Sequence, residues 1–528
     1  MSELELQDNT QIEDKLLSDN SPKKQCTVPS SFHSTAIGEL STTGLEDEDI
    51  LRNKTQKTPL YCAKCFHSFC VPQLPSDYDA SDKESDADSS DSESDDSLSP
   101  IFREDPEDVE ELIIDEIAEY MKSNPLSIWR ASFERDLIKD ISTGLFEEWR
   151  EDNLCEEYDL PEIQSWVKYA AEYYFKTESD MPPRQGGRPL DFTPLRTAII
   201  RNKLRIINAL PTQQQKTQEW YETRYGLLTA SNAWKAIGTE AQQNQLIVEK
   251  CVPFDKFRED CSRHGNLSQD NPMAWGQKYE PISALIYEKM NDTRLGEYGC
   301  IVHPKWQFLG ASPDGINVNP DSTLYGRMVE IKNIVNRNID GIPLDAYWVQ
   351  MQIQMEVCDL EECDFVETRI KEYPTKYEFF ESPNEWKGVV LTFLPRIKID
   401  SSIQKHQPPS QKPFYEYLLL NPHDLTPGQT VESWTQSKKD QYPDSVLSNG
   451  SYWGLDQYSC VLVKRNRTWF AAAIPRIERI WRIIEKERVA GCEHRVPKKR
   501  EQKPAQPLGC IMNVEESLQN VCVVNKIK

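Results

Sequence analysis

The chain is predicted to be an α/β protein built on a mixed central sheet flanked by helices. Two observations predict it. Between residues 211 and 373 the hydrophobic pattern reads helix, three strands, helix, strand, the order of an α/β layer and not of a helical bundle or a β-sandwich. Within that pattern, acids and one lysine fall where a sheet can gather them: Glu280 on a helix, Asp314 in a turn, and Glu330 and Lys332 two apart on a strand. Side chains alternate across a strand, so Glu330 and Lys332 share a face while Ile331 points the other way.

At 528 residues the chain exceeds one ordinary core, and two or three folded units are expected. A net charge of −25 with 38% hydrophobic residues describes a soluble protein with sizeable solvated tracts. No apolar run is long enough to span a bilayer, and residues 1–20 are polar and acidic, unlike a secretory signal. An intracellular, soluble protein without a membrane partner is expected. In that setting the fourteen cysteines read as reduced thiols or metal ligands, not as a disulfide framework.

Residues 1–105 read as a disordered, acidic region. It contains Cys62, Cys65, His67 and Cys70, a set able to grip one zinc ion through its C-x-x-C pair. Four ligands in so tight a loop are cramped and no second C-x-x-C follows at the usual distance, so incidental thiols are the preferred reading. Residues 76–99 are almost wholly Ser, Asp and Glu and form a self-repelling spacer with acid-flanked serines open to phosphorylation.

Residues 106–180 are predicted to be a small helical domain. Val109, Leu112, Ile113, Ile117 and Met121 follow helical spacing until Asn124-Pro125 breaks it. A second run covers 127–150 and a third 161–176, with Trp129, Phe133 and Trp166 as core aromatics. Residues 181–189, rich in Pro and Gly, read as a linker.

The region 205–400 holds the α/β pattern. A helix over 213–224 ends at Gly226, and Thr229 or Ser231 is placed to cap the next one. Pro272 opens a helix that carries Glu280. Strands are expected at 297–303, 306–311 and 327–334, a helix at 342–358, a strand at 364–373 and an edge strand at 385–394. Residues 401–528 read as a C-terminal extension: 400–445 lacks strong periods, 458–464 is strand-like, and Ile477, Ile480, Trp481 and Ile484 share a helical face. From Val461 onward there are 15 Lys and Arg against 7 acids, a basic tail suited to a DNA backbone or to a localisation signal.

Three acids and a lysine converging on one face suit metal-assisted hydrolysis of a phosphodiester. Taken singly, Glu280 is an ordinary helix-surface acid, Glu330 with Lys332 a strand-surface ion pair, and Arg224 dipole compensation at a helix end. Their order is what those separate readings leave unexplained. R-Y-G-L-L-T-A-S (224–231), A-W-G-Q-K-Y-E (274–280), S-P-D-G (312–315), E-I-K (330–332) and Y-W-V-Q-M-Q (347–352) occur in sequence. This set resembles the lambda-type exonuclease, or YqaJ-like viral recombinase, branch of the PD-(D/E)XK nuclease superfamily, in a large-DNA-virus form. The resemblance covers residues 211–372.

The resemblance implies a restriction-endonuclease-like core, with 205–400 as a nuclease domain. It implies that Asp314, Glu330, the backbone carbonyl of Ile331 and Glu280 hold Mg²⁺ or Mn²⁺, that Lys332 orients the attacking water, and that Gln350 and Gln352 position water, lysine or substrate. Arg224 and Ser231 match positions that hold a 5′-terminal phosphate. The implied activity is 5′-to-3′ digestion of double-stranded DNA ends in recombination or repair of viral DNA, in the host cytoplasm or nucleus or the virion. Implied partners are duplex ends, a single-strand annealing or recombination protein, and further copies of the chain. A structure-specific endonuclease on the same fold, or a catalytically silent DNA-end scaffold, are the alternatives.

Overall fold

The computed structural model describes residues 99–178, 181–210, 217–263, 272–396 and 413–496. The Cys62, Cys65, His67 and Cys70 patch, the acidic run up to residue 98 and the tail from 497 lie outside the described residues.

Three helices come first: α1 (Pro106–Ser123), α2 (Phe133–Glu151) and α3 (Leu160–Tyr173). Pro106 occupies the first turn of α1, and the Asp105 side chain accepts from the Glu107 amide, so this start is specified locally. The stripe Val109, Ile113, Ile117 and Met121 is buried as the spacing predicts. The second helix begins at Phe133 and not near 127, because Ser127–Trp129 forms a separate 3-10 turn.

These helices do not form a detached domain. One hydrophobic cluster runs from Ile101 through Trp166, Ile200 and Trp348 to Ile484. The expected linker at 181–189 is a packed strap within it. Arg184 is buried, its Nη2 donating to the Pro343 carbonyl at 2.5 Å, and its own carbonyl accepts from Trp348 Nε1 at 2.6 Å. The guanidinium's bond to the buried Pro343 carbonyl anchors the chain there, because freeing it would leave that carbonyl unpaired.

The middle of the chain runs α4 (Pro194–Ala209), α5 (Gln218–Tyr225), β1 (Leu228–Thr229), α6 (Ala230–Ile237), α7 (Glu240–Cys251), α8 (Phe254–Arg263) and α9 (Pro272–Met290). Then come β2 (Leu295–Gly296), β3 (Ile301–Val302), β4 (Leu309–Ala311), β5 (Gly315–Asn317), β6 (Met328–Asn333), α10 (Asp345–Cys358) and β7 (Glu362–Tyr373). The described chain finishes with α11 (Lys376–Glu381), β8 (Lys387–Pro395), β9 (Phe414–Leu419), α12 (Pro427–Gln441), β10 (Ser445–Lys464) and α13 (Arg467–Ala490).

The fold class is the expected mixed α/β. The main sheet has the order β2-β5-β6-β7-β10-β8-β9, and a small sheet has the order β1-β4-β3. Strands β6 and β7 are parallel, with Glu330 beside Phe365 and Lys332 beside Glu367. Parallel neighbours need a crossover, and α10 provides it. The other pairings in the main sheet are antiparallel.

Two sequence expectations fail in the sheet. Strand β8 is internal, between β10 and β9, and not an edge. The boundary expected near 400 is absent, because β10 inserts between β7 and β8 and pairs with both. Residues 401–528 therefore contribute a central strand to the sheet that carries Glu330 and Lys332. Of strand β10 only 458–464 reads as a strand in the sequence; residues 445–457 escape because they contain Asn449 and two glycines, Gly450 and Gly454, and are kinked by register shifts near Asn449 and Gln457. Helix α13 buries Ile477, Ile480, Trp481 and Ile484 as their spacing predicts, and it packs on α6 and α7.

Candidate active site

Asp314 sits in the bend where the chain leaves β4 of the small sheet and enters β5 of the large one. Its Oδ2 accepts from the Ile331 amide at 2.8 Å, which ties the bend to the middle of β6. Glu330 is fully buried on β6. One of its carboxylate oxygens pairs with Lys332 Nζ and the other accepts from Gln354 Nε2 at 2.7 Å. The period-two argument is met: Glu330 and Lys332 share the face that looks towards α10, while Val329 and Ile331 pack on the other side with Tyr287 and Val366.

The electrostatics follow from this crowding. Burial, then the neighbouring Glu330, push the Asp314 carboxyl well above the ordinary carboxylate range; Glu280 adds to this and Lys332 opposes it. Burial works against the Lys332 ammonium, but Glu330 and Asp314 outweigh it, and its pKa lies above the usual lysine value. Lys332 Nζ also lies 4.9 Å from the Tyr347 ring centre, and the Arg337 guanidinium stands 5.9 Å from the same ring. Arg337 is held in turn by the buried Glu367 on β7.

The expected residues are brought together unequally. Asp314, Glu330, Lys332 and the Ile331 backbone are contiguous. Glu280 is exposed on α9, a helix that packs on the opposite face of β6 through Ser283, Asn333 and Thr368. Its charge is felt at Asp314, yet among the described residues no three His, Cys, Asp or Glu side chains form a ready metal cluster. Gln352 points away: its Nε2 donates to the Lys464 carbonyl at 2.9 Å and its Oε1 accepts from the Asn466 amide at 2.7 Å. Gln350 is half-buried one helical turn before Gln354, so it shares the Gln354 side of α10.

The glutamine that touches the buried acid Glu330 is Gln354, two residues beyond the Y-W-V-Q-M-Q block. Besides Glu330 it reaches the Ser312 carbonyl at 3.3 Å, joining both ends of the Asp314 bend to α10. Helical periodicity held the signal: in Q-M-Q-I-Q, Gln350 and Gln354 are four apart and Gln352 lies across the helix.

Arg224 and Ser231 flank a short turn, at the last turn of α5 and the first turn of α6. The Arg224 guanidinium lies 4.7 Å from the Trp220 ring centre. Thr229 is the N-cap of α6 but its side chain makes no capping bond; its Oγ1 instead lies 3.3 Å from the exposed Ser231 Oγ. The capping expected of Thr229 or Ser231 is thus absent, and the first-turn amides of α6 are left without a side-chain cap.

A hard divalent cation fits the donor set. The oxygens of Asp314, Glu330 and the Ile331 carbonyl are the ligand type such ions take. Two acids, Asp314 and Glu330, also act on the single Lys332 ammonium, and the buried Gln354 Oε1 has no hydrogen-bond partner in the described structure.

In comparisons with known proteins, residues 219–361 match the YqaJ-like viral recombinase domain. An uncharacterized protein of Acanthamoeba polyphaga mimivirus is 28% identical over 314 residues, which is 54% of this chain and 55% of that protein. The match thus spans about half the length of that relative. An alkaline exonuclease from Laribacter hongkongensis is 19% identical with a TM-score of 0.29, covering 52% of this chain and 95% of the exonuclease chain. The structure titled as LHK-Exo in complex with dAMP is 18% identical with a TM-score of 0.28, over the same shares. The matched segment begins before Arg224 and ends after Gln354, so the part of the chain that is similar to the YqaJ-like viral recombinase domain, residues 219–361, encloses the whole constellation.

Proposed function

We propose that the chain is a divalent-metal-dependent deoxyribonuclease that digests duplex DNA from 5′ ends. The observation that carries this reading is the contiguity of Asp314, Glu330, Lys332 and Gln354 at the junction of the two sheets. The recombinase-domain match and the Arg224 and Ser231 turn support it.

In this reading Asp314, Glu330 and the Ile331 carbonyl hold the cation, and Glu280 adds negative charge from α9. The metal, Mg²⁺ or Mn²⁺, supplies Lewis acidity towards the scissile phosphate. Lys332, fixed by Glu330 and the Tyr347 ring, holds the attacking water and stabilises the negative charge of the phosphate it attacks. Gln354 keeps the Glu330 carboxylate in one orientation, so no reorganisation is needed as charge develops. Arg224 and Ser231 receive the 5′-terminal phosphate, an Arg fork and a hydroxyl beside helix N-terminal amides being sound phosphate chemistry. Attack in line then releases 5′-phosphorylated nucleotides and leaves a 3′ single strand for recombination or repair.

The test uses end-labelled linear duplex and a covalently closed circle, each with Mg²⁺, Mn²⁺ or chelator. Digestion of the linear form alone, stopped by chelator, is expected; cutting of the circle would favour a structure-specific endonuclease, and metal-independent behaviour would overturn the site.

The two glutamines separate the site from its scaffold. Gln354→Ala is expected to slow digestion about 10- to 100-fold with little change in melting temperature, as one charge-directed hydrogen bond is lost. Gln352→Ala is expected to cost about 1–3 kcal/mol of stability, because it leaves the Lys464 carbonyl and the Asn466 amide unsatisfied, and to keep its rate while folded. The reverse pattern, read from rates and thermal melts, would restore Gln352 to the site.

A further inference from the structure

The last turn of α5, which presents Arg224, ends in carbonyls that a helix leaves without intrahelical partners. Two cations from elsewhere in the chain donate to the Arg224 and Tyr225 carbonyls of that turn and to the Leu227 carbonyl just past it. Lys250, buried at the end of α7, donates to the Leu227 carbonyl at 2.7 Å and the Arg224 carbonyl at 3.3 Å. Arg488, near the end of α13, donates to the Tyr225 carbonyl at 2.6 Å and, through Nε, to the Lys250 carbonyl at 2.8 Å. The Arg488 guanidinium also lies 4.3 Å from the Tyr225 ring centre and 5.2 Å from that of Trp481. On the other side the turn is held by the Leu228 amide, which donates to the Phe308 carbonyl at 2.7 Å. Residues 224–228 are thus gripped from both flanks, and one grip comes from a helix more than 260 residues away in sequence.

We infer that Lys250 and Arg488 are positioning residues for end recognition: they set the turn from which Arg224 and Ser231 meet a 5′-terminal phosphate. The inference rests on the reading of Arg224 and Ser231 given above. The physical argument is geometric. Arg224 is the last-turn residue whose own carbonyl Lys250 holds, and Ser231 follows seven residues later across the two-residue strand β1. A phosphate bound by both side chains tolerates little drift between them, since hydrogen bonds weaken steeply with misalignment. Cations at a helix C-terminus also oppose its dipole, which stabilises the end of α5 from which Arg224 projects. Both Lys250 and Arg224 already place their field on the buried Cys300 thiol, whose pKa burial raises and these two cations lower. The basic character of the C-terminal region thus has a specific use at Arg488, while Arg495 is taken up by Glu487 on α13 and Asn244 on α7, each at 2.6 Å.

The experiment uses the full chain and two otherwise identical duplex oligonucleotides, one with 5′-phosphate and one with 5′-hydroxyl ends. Binding is read by fluorescence anisotropy in chelator, so that it does not depend on cleavage. Wild type is expected to prefer the phosphorylated end. Arg488→Gln should cut that preference about 10-fold or more, Arg488→Lys should restore part of it, and both should retain cooperative melting. Lys250→Met serves as the second variant, with the same loss of preference expected. An unchanged preference ratio in folded Arg488→Gln and Lys250→Met would overturn the positioning role while leaving the pocket intact. Wild-type indifference to the 5′-phosphate would overturn the pocket reading, and this inference with it.

Discussion

Asp314→Ala is expected to abolish digestion, by at least about a thousandfold, while the protein stays folded. Asp314 contributes one hydrogen bond to the Ile331 amide, worth about 1 kcal/mol, and its carboxylate is disfavoured by burial and by the neighbouring acids. Removing it relieves crowding as well as losing a bond, so the melting temperature should move little. Lys332→Ala should lose activity to a similar degree but also stability, because it leaves the buried Glu330 with only Gln354 as a side-chain partner. The pair is therefore informative together: rates on end-labelled duplex with Mg²⁺ should fall for both, and only the lysine variant should melt earlier. Retained metal-dependent digestion by both variants would defeat the assignment of the site.

Arg465→Met is expected to destabilise the fold by about 3–5 kcal/mol, the largest stability effect anticipated for a side chain remote from the acids. Arg465 follows β10 directly and is buried, with Nε and Nη2 donating to the two oxygens of Glu356 at 2.9 and 2.6 Å and Nη1 to Asp359 at 2.7 Å. Its loss leaves Glu356, itself buried at the end of α10, as an uncompensated charge. The same logic extends to truncation. A chain ending at residue 400 lacks β10, which exposes the edges of β7 and β8, and lacks the α13 face built from Trp469, Ile477 and Ile484. It should be recovered as an insoluble or molten product. A soluble, cooperatively melting protein of residues 99–400 would show that the C-terminal region is an appendage after all.

Local chemistry carried much of this protein into legible form. The period-two placement of Glu330 and Lys332, the bend at Asp314, and the apolar stripes of α1 and α13 depend on neighbours a few residues away, and sequence spacing reports such relations directly. The acidic total charge of −25 was no guide to the site, which lies where acids are concentrated by folding and not by composition. What sequence left open were choices made by partners distant in the chain. Periodicity puts Gln350 and Gln354 on one side of α10 and Gln352 on the other, but only the docking of α10 decides that Gln354 meets Glu330 and Gln352 meets Asn466. Only the last third of strand β10 reads as strand until β7 and β8 offer it edges. Arg488 is one basic residue among fifteen until α13 settles against α7 and brings it to the Tyr225 carbonyl. By itself, then, the sequence determined that Glu330 and Lys332 share one face of their strand and that Asp314 falls in the bend before it. Only the tertiary structure decided which of those faces meet, because burial and hydrogen-bond satisfaction across hundreds of residues leave no periodic trace in any one segment.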